Sequence, residues 1–497
     1  MKMKRALMYL SIALAIPLSA GYGQRIVQVP AGFGTIQSVI LGDTTSTGAR
    51  VDTNTVYVLH TDSLYILDGS FEPTFQVIME SDGKPGAMPH IILGVPSGGT
   101  VPDQAIRPHA NFYAKGIWFS AEAELNSGEG TRVFRFQENG IKISLDSCII
   151  SDASQAGFRL DTENDVLVVK KCIIRDIGVV NGTGNGRAFD TRGNHVDSLI
   201  VTNCTIYNLA SRVVRQGGGS IDYVYFDHNT VDNLGQGGFD LTQIGYLYFA
   251  SNIIRNPEFL GNTDSTSSII QYSMEDSAST PPIFRNNNIF TDTALVNAFP
   301  KTSTLTIYLP LNFDSTSSYY IRASGDSATN IDELVNFTKG PKSPVDVMLN
   351  YYSSSSSTPL PLDTVDEANF DFSYSHGYKS YSAALEGKPL GSLVWFGLPT
   401  AIQSNRLQQP VGYELSQNYP NPFNPTTRIE YSVPKSGYVS FKVYNVLGEL
   451  VASLASGYLT AGVHEAVFDG RNLASGVYFY MLRAGDYSVA RKMVLLK

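Results

Sequence analysis

The chain has 497 residues, 43% hydrophobic and 16% charged, and its 36 basic and 45 acidic side chains leave a net charge of −9. So much apolar surface excludes global disorder, and the mild acidity excludes the basic footprint of a nucleic-acid binder. The 44 glycines, 28 tyrosines and 25 phenylalanines favour turn-rich β structure; the length predicts about three domains, unless the chain is a solenoid that grows in length and not in core diameter.

The first element is an export signal over residues 1–23. Lys2, Lys4 and Arg5 precede an apolar run from Ala6 to Ile16, which Pro17 ends before the small residues Ser19, Ala20, Gly21 and Gly23. The run is too short for a membrane-spanning helix, which takes about 20 residues. No second run of spanning length follows, so the mature chain is expected to be soluble and without a transmembrane segment. Ile36-Gln37-Ser38-Val39-Ile40 then predicts a short amphipathic cap. Val56–Leu59, Ser63–Gly69 and Gly116–Phe119 read as early strands.

A repeat dominates the middle of the chain. Cys148-Ile149-Ile150-Ser151-Asp152, Cys172-Ile173-Ile174-Arg175-Asp176 and Cys204-Thr205-Ile206-Tyr207-Asn208 share a template with Asn229-Thr230-Val231-Asp232-Asn233, Asn252-Ile253-Ile254-Arg255-Asn256 and Asn288-Ile289-Phe290-Thr291-Asp292. Successive first positions lie 24, 32, 25, 23 and 36 residues apart, the long intervals carrying inserts at 180–186 and 263–268. A second column, Phe134, Phe158, Phe189, Val214 and Phe239, keeps the same period. Short β-branched runs cut by Asn, Asp and Gly exclude helical repeats. A coil of roughly 24 residues holds about three short strands, which predicts a parallel β-helix with Ile150, Ile174, Ile206, Val231, Ile254 and Phe290 stacked inward. The fifth-position Asp and Asn residues are expected to stack at a corner, where they tolerate the left-handed conformation. The three cysteines share one repeat position, which suits a column of buried thiols better than a disulfide.

Alternation places Arg135, Arg159, Asp190, Arg215 and Asp240 in one outward column, next to the inward aromatic one. Asp161, Glu163 and Asp165 crowd one turn, as either a calcium loop or an ordinary one. Asp227-His228 is expected to serve packing or a turn. Towards the end of the repeat region, Tyr351 to Leu362 reads as a loop, and Asn369–Phe372 with Gly387–Gly391 reads as a closing rung before Trp395-Phe396-Gly397. Residues 24–397 are thus assigned to the β-helix and 398–412 to a linker. In 413–497, Ile429–Val433 and Val439–Tyr444 alternate as strands with one buried face, predicting a small antiparallel sandwich.

Two resemblances sharpen this reading. The strings NYPNPFNPTTRIEY, VYNVLGELV, DGRNLASGVYFYML and the terminal KMVLLK resemble a type A sorting domain of the bacterial type IX secretion system, with Phe468 where that family commonly has tryptophan. This implies export in two steps, by the signal peptide and then by the tail, with the secretion machinery as partner and a secreted or outer-surface location. In the family the tail is removed or exchanged for an anchor. The repeat resembles right-handed pectin-lyase-like β-helices, and the handedness comes from that resemblance.

The second resemblance implies a sheet face that holds an extended polysaccharide, carboxylates that hold calcium against a uronate, and an Arg or Lys that takes the proton alpha to it. Carried onto this chain, Arg215 is the catalytic candidate, and Arg135, Arg159, Asp190 and Asp240 are substrate-binding candidates. Asp190 and Asp240 are the candidate calcium ligands, and calcium is the one cofactor suggested. Alternating charges on neighbouring strands also form plain salt-bridge ladders, and no complete lyase signature is present. The expectation is an all-β secreted or cell-surface protein, a β-helix followed by a small sandwich, engaging polysaccharide or glycan. A calcium-assisted uronate lyase and a non-catalytic structural surface protein or adhesin are the alternatives.

Overall fold

A computed structural model describes residues 24–95, 99–124, 128–180, 185–260, 270–274, 282–298, 329–353, 358–359, 370–384, 387–400, 414–418, 420–433, 437–446, 449–459, 462–484 and 487–497. The stretch read as an export signal, the body of both inserts and linker residues 401–412 lie outside the described residues. The described chain divides into two compact units, one before and one after residue 400.

The first unit is a parallel β-helix with three faces. One coil runs through Lys142–Asp146, Ile149–Ala153 and Ala156–Leu160, and the next through Asp165–Lys170, Ile173–Ile177 and Arg187–Asp190. Each strand pairs in parallel with its equivalent in the next coil: Ile143 with Leu167 on the first face, Ile150 with Ile174 on the second, Phe134 with Phe158 and Phe158 with Phe189 on the third. Among the described residues, the second face stacks ten strands, from Gly32–Phe33 to Asn288–Phe290. Inward side chains form one continuous core, in which Phe134, Phe158 and Phe189 are fully buried and stack at 5.2 and 5.4 Å. Each such side chain contributes roughly 1.5–3 kcal/mol through burial, and a one-residue slip would turn a whole row outward, so the register is strongly specified. The helix Thr35–Leu41 closes the first end, with Ile36 and Ile40 buried against the core.

Corners are built from residues that accept positive φ. Ser147, Lys171, Asn203, His228, Ser251 and Asn286 hold φ between 51° and 60° at one corner; Asp152, Asp176, Asn208, Asn233 and Asn256 hold 53° to 58° at another. Asn, Asp and His are enriched in this region, and His228 takes the turn role expected of it, with Nδ1 3.1 Å from Asp227. The Cys/Asn column forms a hydrogen-bonded stack. The Cys148 N–H donates to Cys172 Sγ at 3.3 Å, and the N–H groups of Cys204, Asn229 and Asn252 donate to the next side-chain oxygen at 2.9, 2.8 and 3.1 Å. All three cysteines are free and buried, and burial pushes the thiols of Cys148 and Cys172 well above their ordinary pKa.

Three expectations need correction. In the sixth repeat it is Asn287, not Asn288, that continues the stack, so Ile289 is the inward residue below Ile254 and Phe290 lies opposite Arg255. Tyr351–Ser353 belongs to the helix Val345–Ser353, because Val347 and Met348 bury against Ala210, Phe259, Leu260 and Leu295. The closing segment is not a rung: Gly391, Ser392 and Trp395 bond in turn to Ser251, Thr230 and Thr205, so it runs across successive coils on the outside of the second face.

The second unit is a two-sheet antiparallel sandwich. One sheet orders Glu414–Leu415, Thr426–Val433 and Gly462–Asp469; the other orders Leu450–Leu459, Gly437–Tyr444, Gly476–Ala484 and Tyr487–Leu495. Ile429, Tyr431, Val433, Val439, Phe441 and Val443 bury the faces that alternation assigns to them. The proline cluster is held at both ends. Asn418 accepts from Gln417 Nε2 at 2.7 Å and donates to Thr427 Oγ1 and the Pro420 carbonyl at 3.0 Å, and Phe423 exchanges backbone hydrogen bonds with Val494 and Leu496. Phe468 is buried against Phe423 at 5.8 Å.

Candidate functional site

The third face carries the predicted outward row. Register aligns Arg135 with Arg159, Arg159 with Asp190 and Asp190 with Arg215, and the pairing of Val214 with Phe239 brings Asp240 next in line. All five candidates therefore stand on successive coils, about 4.8 Å apart. Strand alternation sets this: each follows an inward Phe or Val of the core column.

The row is internally paired. Asp161 accepts from Arg135 Nε at 2.7 Å and from Arg159 Nε at 2.8 Å. Burial works against its charge, but these two hydrogen bonds hold its carboxyl below the ordinary range. Asp190 is 2% exposed and accepts from Arg187 Nη1 at 2.9 Å and Arg215 Nη1 at 3.2 Å. Asp240 accepts from the backbone N–H groups of Gln216 and Gly217 at 3.2 and 3.3 Å, and from Thr242 Oγ1 at 3.3 Å. Exposed cationic surface remains: the side chains of Arg135, Arg159 and Arg215 keep 27%, 16% and 32% of their accessible area.

Calcium does not fit the pair proposed for it. Both oxygens of Asp190 face guanidinium groups and Asp240 faces N–H and O–H donors, so the surroundings already supply positive charge. Nor does the acidic turn converge on an ion. Asp161 turns to the arginines, Glu163 accepts the His195 N–H at 2.6 Å, and Asp165 accepts from Thr162 Oγ1 at 2.7 Å and the Ile141 N–H at 3.2 Å. Arg215, the candidate base, is bonded to Asp190 as a cation, and proton abstraction would need that contact opened.

Three further arginines of this face are missing from the row predicted by sequence. Arg107 follows Ile106, which pairs with Phe134, and it reaches Glu72 at 3.3 Å. Arg132 and Arg187 both align with Ala156 and are 7% and 8% exposed. The Ile106-Arg107 step repeats Phe134-Arg135 one coil earlier, and Arg132 and Arg187 each stand three residues before a row position; those were the available signals. Burial, with Arg159 and Arg135 adding repulsion, lowers the Arg132 pKa to about 10.

Residues 417–496 match the family of secretion system C-terminal sorting domains. No curated protein matches the chain. The C-terminal sandwich is a sorting domain, and it directs the chain through the type IX secretion system to the cell surface or the medium. No helix among the described residues is long and apolar enough to cross a membrane.

Proposed function

We propose that the exported β-helix engages an acidic polysaccharide or surface glycan along its third face. The observation that carries this reading is the row of partly exposed arginine side chains, Arg135, Arg159 and Arg215, on stacked coils. An extended polymer lying along the helix axis would meet a new cation or carboxylate at each coil. Guanidinium forks bind carboxylate and sulfate through paired, charge-assisted hydrogen bonds. The closed contacts of Asp190 and Asp240 favour binding over calcium-assisted elimination.

The test is incubation of the full chain with neutral and acidic polysaccharides, with and without calcium, following both retention and unsaturated product. Acidic polymers should be retained, release with salt, and yield no product, and retention should fall at least severalfold in Arg135→Ala/Arg215→Ala. Unsaturated product would establish a lyase instead. No retention, or retention indifferent to charge and to the double substitution, would leave a structural surface protein or adhesin.

A further inference from the structure

The corner joining the third face to the first gathers a second set of polar side chains, apart from the arginine row. His195 Nε2 lies 3.4 Å from Asp197 Oδ1 and 3.5 Å from Asp222 Oδ2. The donor atoms of the three residues all fall within 4.8 Å of one another. Both aspartates are 5% exposed. They stand on neighbouring coils, since Val196 pairs with Ile221 and Ser198 with Tyr223 on either side of them. Like charges side by side across a sheet destabilise it, and burying them is costly without a counter-charge.

The distances favour coordination over hydrogen bonding. Both exceed the usual N–H···O range of about 2.7–3.2 Å. Donor atoms roughly 2.0–2.1 Å from a tetrahedral zinc ion stand about 3.3–3.4 Å apart, close to the two separations seen here. The backbone is also shaped for this corner. The pairing of Asp165–Lys170 with Val196–Thr202 shifts register between Asp165 and Val166, passing from Val196 to Ser198, so Asp197 is the extra residue of a bulge. Bulges re-aim a side chain out of the ladder.

The histidine is held from several sides. Its Nδ1 is 2.8 Å from Ser220 Oγ, its N–H donates to Glu163 Oε2 at 2.6 Å, and its carbonyl accepts from the Asn164 N–H at 2.8 Å. A hydrogen bond at one ring nitrogen fixes the direction of the other, as in metal-ligating histidines.

We propose that His195, Asp197 and Asp222 form a binding site for a divalent transition-metal ion, zinc by its fit to one imidazole and two carboxylates, with water as the fourth ligand. The ion would clamp two successive coils together. Magnesium and calcium fit the donor set less well, because they take oxygen ligands in larger number.

To test this, the full chain without a histidine tag is stripped with chelator, dialysed against zinc, and assayed for bound metal by elemental analysis and for thermal unfolding. About one zinc per chain should be retained, with a rise of several degrees in melting temperature. His195→Ala and the nearly isosteric Asp222→Asn should retain none at this site and melt alike with and without zinc. Cobalt in the wild-type protein should give the intense visible bands of four-coordinate geometry, a readout that does not depend on either variant folding. No retained zinc, unchanged stoichiometry in both variants, calcium retained as well as zinc, or a six-coordinate cobalt spectrum would each overturn the assignment.

Discussion

At the scale of single residues, direction decides consequence. Ile174 and Arg159 both belong to central strands of the solenoid, yet Ile174 is 0% exposed in the core while Arg159 lies on the outer face, bonded to Asp161. Ile174→Asp buries a charge with no partner and should cost about 3 kcal/mol or more. Arg159→Ala removes one ion pair at the edge of the solvent, leaves Arg135 on Asp161, and should cost about 1 kcal/mol. Urea titration of the two variants checks the pair, and equal losses would contradict the inward–outward assignment. Alternation made these directions readable in the sequence. Which charges neutralise one another was not readable, because a long arginine side chain reaches beyond its own position: Arg135 finds Asp161 of the following coil. The His195 corner was hidden for a related reason, since its third ligand, Asp222, comes from the next coil along.

At the scale of elements, the coils are joined by more than their backbone ladders. Asn252 Oδ1 accepts from the Asn229 N–H and side chain at 2.8 and 3.1 Å, while its Nδ2 donates to the Phe226 carbonyl and to Asn287 Oδ1 at 3.1 and 2.9 Å. Removing it orphans several buried groups at once. Asn252→Ala should therefore destabilise by about 2 kcal/mol or more, at roughly 1–3 kcal/mol per unsatisfied group. Hydrogen exchange should quicken first at the Asn229 amide, and a loss spread evenly over the solenoid would speak against a local stack. The repeat was legible as far as Asn252 because each position has its own residue type. It slipped by one at Asn286-Asn287-Asn288, where the left-handed corner, the stack and the first strand position all accept asparagine. The helix Val345–Ser353 was missed because the serine run that follows hid the apolar spacing of Val347 and Met348.

At the scale of the molecule, folding and delivery reside in separate parts of the chain. The β-helix core draws on residues from Val29 to Ile289 and the sandwich core on residues from Leu415 to Leu495, without shared members. Removal of residues 414–497 should leave the β-helix folded but held inside the outer membrane. Fractionation with limited proteolysis checks both halves of that statement, and a truncated protein found at the surface would refute the role of the tail. The tail was legible because several motifs recur in fixed order, whereas the repeat region identifies an architecture shared by many activities.

The plug formed by Thr35–Leu41 has a consequence for life outside the cell. Among the described strands, Ile26–Val29 has a neighbour on one side only, so its other edge is a template for any unpaired strand. With Ile36 and Ile40 standing over the hydrophobic interior, a second molecule cannot bring its own last turn flush against that end. Crowded exported molecules are thereby denied the end-to-end polymerisation that would knit them into fibres.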